Sequence, residues 1–246
     1  MKIICKDGTV RECENKEEEL HVLRHTAAHI MAQAIKRLYP EADFGYGPAT
    51  EKGFYYDVDL GDVKLADEDL AAIEAEMKKI VKENLPIKPF ILPRAEAIAL
   101  MEERKEKYKV EHIDDLPEDA EISFYKQGEY IDMCIGPHLT YTKALKAFKL
   151  TNVSGAYWKN DKNNKMLTRI GGVAFASQQE LEDYLKLLEE AQRRDHRKIG
   201  KGMYISRVDG DVVTYDLRMT VPNAGIYLDN APLHTVEHLF ATYARN

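Results

Sequence analysis

An α+β fold, with an antiparallel sheet packed against helices, follows from three features of the sequence. Segments near residues 20–39, 67–84 and 95–107 carry apolar residues at helical spacing. Strand-like runs between 54 and 170 are joined by short polar turns rather than by helices, which favours antiparallel pairing. With 246 residues, 44% of them hydrophobic, the chain can bury a real core as one or two domains.

The elements follow in order. Residues 2–13 read as a hairpin turning at Asp7-Gly8. The helix over 20–39 stops at Pro40, which cannot continue it. Residues 54–59 form a strand, and 67–84 a second helix with Asp67 as its N-cap. A third helix covers 95–107. The run 122–133 is strand-like and broken at Gln127-Gly128, and further strands cover 147–151, 156–159 and 165–170. The last two flank the polar loop 160–164, suited to a hairpin. Ser177 caps a final helix reaching about Ile199. Beyond it, Val213, Tyr215, Leu217 and Met219 alternate with polar residues as a strand, and a loop leads to a helix from about Pro232. The resulting division is a hairpin over 1–19, a main domain over 20–200 and a strand-helix fragment over 201–246.

Composition narrows the function. A net charge of −7 argues against binding nucleic acid through the overall field, so an RNA partner needs a local patch. Arg193, Arg194, His196, Arg197, Lys198 and Lys201 supply one candidate, which reads equally well as a solvated helix end. Cys5, Cys13 and Cys134 are too few and scattered for a disulfide framework, so a cytoplasmic home is expected. No apolar run approaches a membrane span, and the start does not read as a signal peptide.

The chemistry is concentrated in two short strings. In His25-Thr-Ala-Ala-His29 the imidazoles fall at i and i+4, leaving one helix face a turn apart. Cys134-Ile-Gly-Pro-His138 follows a hundred residues later, beside Asp132. Brought together, they make a pocket of three imidazoles, a thiol and a carboxylate. Such residues can be satisfied core groups, a tetrahedral zinc set, or a metal-free hydrolytic site in which a base orients water and a carboxylate anchors a cation. Spacing alone does not separate the last two.

The surrounding strings resemble the editing region of bacterial threonyl-tRNA synthetases from about residue 20 to 200. They are the stretch from Leu23 to Pro40, Gly53-Phe-Tyr-Tyr-Asp57, Tyr130-Ile-Asp-Met-Cys-Ile-Gly-Pro-His138, Gly155-Ala-Tyr-Trp158, Asn164-Lys-Met-Leu167 and Arg194-Asp-His-Arg-Lys-Ile-Gly200. The resemblance implies the threonyl/alanyl editing-domain fold and hydrolysis of tRNA(Thr) mischarged with serine. A missing methyl is worth only about 1–3 kcal/mol of discrimination, so a threonine site admits some serine and a second pocket corrects it. His25, His29, Tyr56, Lys109, Asp132, Cys134 and His138 match the residues lining that site. Asp132 is expected to anchor the substrate ammonium, His25 to position water or act as base, and Lys109 to steady the leaving hydroxyl. Tyr56 is expected to be a wall. Alanine-type relatives hold zinc at the four His/Cys positions, whereas the threonyl type implies no obligatory metal.

Past Lys201 the likeness changes. Residues 202–219 and Leu233-His-Thr-Val-Glu-His238 resemble the opening of S-ribosylhomocysteine lyase, so the chain reads as a chimera of two truncated segments joined near Gly200 to Gly202. His234 and His238 match two metal ligands of that family, Glu237 its acid/base and Arg218 a substrate contact. That family's third ligand, a cysteine, has no counterpart here, so the tail is expected to be inactive. The competing functions are a non-catalytic tRNA-binding remnant and a lyase-like metal-binding protein. No signature for ATP binding or aminoacylation is present, and the oligomeric state is left open.

Overall fold

A computed structural model describes residues 1–193, 202–209 and 212–218. Strands β1 (Lys2–Ile4) and β2 (Val10–Glu12) form the expected hairpin, with Gly8 at φ +84° in its turn. Helix α1 (Lys16–Leu38) begins four residues before the apolar pattern, because Asn15 Oδ1 accepts from Glu18 N at 2.9 Å and Glu17, Glu18 and Glu19 face the positive end of the helix dipole. The wholly polar run 16–19 concealed that turn.

Strand β3 (Asp43–Phe44) and β4 (Phe54–Asp59) lead through a 3-10 turn, Asp67–Asp69, into α2 (Leu70–Glu83). Asp67 is not the expected N-cap. Its Oδ1 instead accepts from Val153 N at 2.9 Å. Strand β5 (Ile87–Leu92) was not anticipated because Pro89 interrupts it, but proline is tolerated on the edge strand it occupies. The helix expected over 95–107 ends at α3 (Arg94–Glu103). Lys105, at φ +60°, breaks the chain before an unanticipated α4 (Lys107–Asp115), the helix that carries Lys109.

Strands β6 (Ile122–Gln127) and β7 (Tyr130–Met133) form the hairpin expected around Gly128, and β8 (His138–Leu139) follows. The two strands expected over 147–159 are one, β9 (Ala147–Tyr157), since every polar residue from Thr151 to Gly155 keeps its place in the ladder or bulge. It pairs with β10 (Met166–Phe175), which runs five residues beyond expectation across a bulge at Gly171/Gly172. Helix α5 (Gln178–Arg193) starts where Ser177 Oγ accepts from Glu180 N.

The sheets run in the orders β2-β1-β8, β3-β4-β10-β9 and β5-β6-β7, all antiparallel, which makes the fold α+β. Helix α1 lies among α2, β4, β8 and β10, so Ile30, Met31, Ala32, Ala34 and Ile35 are all fully buried. Arg37 ties that helix to its neighbours through Glu76, Glu83 and Glu129. Along the outer side of β9, Leu150 N donates to Glu74 Oε1 at 2.8 Å, beside the Val153–Asp67 bond.

The chain divides into two units, Met1–Glu182 and Asp183–Asn246. In the second, β11 (Gly202–Asp209) pairs antiparallel with β12 (Val212–Arg218), the latter covering most of the strand expected over 213–219. The end of the helix expected to reach Ile199, and the helix from Pro232 with His234, Glu237 and His238, lie outside the described residues. No helix among the described residues is long and apolar enough to cross a membrane.

Candidate active site

Four separate segments build the site. Helix α1 contributes His25 and His29, β4 Tyr56, α4 Lys109, and the stretch from β7 through its following loop into β8 Asp132, Cys134 and His138. All but the fully buried His138 line a cleft of about 640 Å³ whose walls include His21, Tyr46, Pro48, Tyr55, His112 and Ile135. Two glycines keep this geometry open. A Cβ on Gly47 would meet the Tyr56 ring at 2.2 Å, and Gly136, at φ +63°, would bring one within 2.0 Å of the Tyr125 hydroxyl.

The floor has two halves. In the first, Cys134 Sγ lies 3.2 Å from both His25 Nε2 and His138 Nε2 and accepts from Gly136 N at 3.2 Å. The ligand atoms of His25, His29, Cys134 and His138 all lie within 4.8 Å of one another. Burial pushes the Cys134 thiol up to about 12 and the His25 and His29 imidazoles down to about 3 and about 4. It also drives His138 well below its ordinary value, with the neighbouring imidazoles adding to the effect. All three rings are therefore neutral at pH 7.

In the second half, Asp132 Oδ1 lies 2.8 Å from Lys109 Nζ, and Oδ2 accepts from the Tyr56 hydroxyl and from Tyr130 OH at 3.2 Å. Lys109 Nζ also donates to Tyr56 OH at 2.8 Å, and His29 Nε2 is 3.6 Å from Asp132 Oδ2. Burial raises the Asp132 pKa, but Lys109, His29 and Tyr56 outweigh it and hold the carboxyl at about 2. Asp132 is thus a sealed anion, 2% exposed, at the bottom of the cleft.

The structure brings together all seven residues singled out from the sequence. Tyr56 is more than a wall, since its hydroxyl bridges Lys109 and Asp132. Two further members had no sequence signal: Tyr130, read as part of a strand, and Thr26, whose Oγ1 lies 3.2 Å from His138 Nδ1 and accepts from Leu139 N at 3.0 Å. Arg218 closes β12 in the second unit.

The three imidazoles and the thiol also fit a tetrahedral zinc ion in kind, number and mutual distance. His25, His29, Cys134 and His138 would hold it, and a bound zinc would supply Lewis acidity and a more acidic water.

Known proteins resemble this chain in two stretches. Residues 122–171, which include Asp132, Cys134 and His138, match the threonyl and alanyl tRNA synthetase second additional domain. Residues 191–246 match S-ribosylhomocysteinase. The threonine–tRNA ligase of Clostridioides difficile is 60% identical over 199 residues, 80% of this chain and 31% of the relative. That of Clostridium novyi is 52% identical over 213 residues, 85% and 33%, and that of Carboxydothermus hydrogenoformans 56% over 185 residues, 75% and 29%. The chain spans about a third of the length of these relatives. The chain therefore joins a stretch matching the second additional domain of threonyl and alanyl tRNA synthetases, within a longer likeness to about a third of the length of threonine–tRNA ligases, to a C-terminal stretch matching S-ribosylhomocysteinase.

Proposed function

We propose that this chain hydrolyses the ester of tRNA(Thr) mischarged with serine, in the cytoplasm and without an obligatory metal. The observation that supports it best is the sealed Asp132–Lys109–Tyr56 cluster lying directly beside the neutral His25 and His29 rings and the Cys134 thiol in one cleft. An aminoacyl ester is already activated, so placing a water and balancing charge suffices.

In this reading the substrate ammonium takes the Asp132 carboxylate from Lys109. The freed Lys109 ammonium turns to the ribose oxygen as the C–O bond breaks and donates the proton that makes it a hydroxyl, later regaining one from solvent. Water adds to the carbonyl carbon beside His25 and His29; His25 orients it and the neutral His29 ring takes up its proton. The full chain should release serine from seryl-tRNA(Thr) faster than threonine from threonyl-tRNA(Thr), and His25→Ala and Asp132→Ala should each lose most of that activity. Equal rates for the wild type and both variants would sink the assignment.

A non-catalytic tRNA-binding role accounts less well for a buried lysine on a buried aspartate. A lyase role for residues 202–246 has only Arg218 among the described residues.

A further inference from the structure

The chain of contacts from Thr26 to His25 starts in the buried interior. Thr26 and His138 are both fully buried. Among the described residues, Thr26 Oγ1 has two hydrogen-bond partners, Leu139 N at 3.0 Å and His138 Nδ1 at 3.2 Å. The amide is a donor, so it occupies an oxygen lone pair and offers the hydroxyl hydrogen nothing. A buried O–H without an acceptor is costly, and the acceptor within reach is the ring nitrogen.

We infer that Thr26 is a positioning residue: its hydroxyl donates to His138 Nδ1, fixes that ring as the Nε2–H tautomer, and so sets the hydrogen-bond polarity of the His138–Cys134–His25 row. Resting on the hydrolytic reading above, this adds a member to its machinery that touches no substrate. With its proton on Nε2, His138 donates to Cys134 Sγ at 3.2 Å, and Gly136 N donates to the same sulfur. The sulfur then holds two N–H groups, and the direction left for its own hydrogen is toward His25 Nε2, also at 3.2 Å. His25 is thereby kept as the Nδ1–H tautomer, its ring locked by the sulfur rather than free to rotate into the cleft. One hydroxyl on the buried side of α1 decides which nitrogen of His138 and of His25 carries hydrogen.

The test is ¹⁵N-imidazole NMR on the full chain, metal-free, for wild type, Thr26→Ser and Thr26→Val. The expected result is an Nε2–H signature at His138 in wild type and Thr26→Ser, lost or mixed in Thr26→Val. Deacylation should follow the same pattern: the valine variant should lose about 10- to 100-fold in kcat with KM little changed, and the serine variant should recover it. An Nδ1–H tautomer at His138 in the wild type would overturn the inference even if the valine variant fails to fold. Unchanged tautomer and kcat in a folded Thr26→Val would do the same. If the wild type does not deacylate at all, the hydrolytic reading fails while the tautomer measurement still decides the role of Thr26.

Discussion

Asp59 and Asp132 are both buried, and both are held by lysine and tyrosine. Asp59, at the end of β4, takes Lys165 at 2.7 Å, Lys107 at 2.9 Å and the Tyr108 hydroxyl at 2.8 Å. Asp132 takes Lys109, Tyr56 and Tyr130. The difference lies in the cations. The Lys107 and Lys165 side chains are 56% and 53% exposed, whereas Lys109 is 8% exposed. Burial would raise Asp59, but its two lysines and Tyr108 bring it far below the usual carboxylate range. It is a surface clamp joining β4 and α4 to the residue just before β10, with lysines exposed to solvent screening. Asp132 has one cation, itself buried, and a cleft above it, so its charge can be spent on a ligand. Similar residue types make a fastener in one place and a poised anion in the other.

Conservative substitution should separate them most sharply. Asp132→Asn should lower deacylation of seryl-tRNA(Thr) by about 100-fold or more, the scale of losing a positioned charge in a dry site. Asp59→Asn should leave that rate within about threefold and cost about 2 kcal/mol in urea unfolding, less than a fully buried pair because its lysines are solvated. Matching rate losses in the two variants would erase the distinction.

Acid should expose the imidazole half of the floor before the carboxylate half. His25, His29 and His138 have depressed values in the folded state, so below about pH 6.5 the unfolded chain binds more protons and stability falls as pH falls. Three such rings give a slope of about 4 kcal/mol per pH unit. Asp132, held at about 2, contributes stability that is present above about pH 3.9 and lost only below it. Urea titrations at pH 7, 6 and 5 should therefore show a steep loss, flattened by about a third in a folded His29→Gln. A flat profile to pH 4 would mean that the rings are not buried neutral.

The smallest expected effect is that of chelation. Deacylation should be unchanged after treatment with a chelator, and elemental analysis should find well under one zinc per chain. One tightly held zinc that disappears with Cys134→Ser would make the His/Cys half a metal centre and Asp132 its neighbour.

What the sequence reveals of this site depends on distance along the chain. The i, i+4 pairing of His25 and His29 is local and legible, and resemblance links it to Asp132, Cys134 and His138. Thr26 and Tyr130 were not legible, because a hydroxyl in an apolar helix or strand gives no sign of a partner; that of Thr26 is 112 residues away. The fold behaves likewise. Apolar periodicity located α1, α2, β4, β6 and β7, while Pro89 hid β5 and a left-handed Lys105 split what read as one helix. Asp67 has the composition of a cap, but a strand amide from β9 claims its carboxylate.

That last bond has a consequence for how the protein behaves in a crowd. Strand β9 is the end of a four-stranded sheet, and such an end is where another chain can add a strand and begin a fibre. Glu74 and Asp67 occupy the amides of Leu150 and Val153 that a newcomer needs, and Lys149 is paired with Glu74 beside them. An invading strand would have to displace two carboxylates before gaining its first bonds. That edge is blocked at these two amides by side chains that the sequence presents as ordinary surface acids.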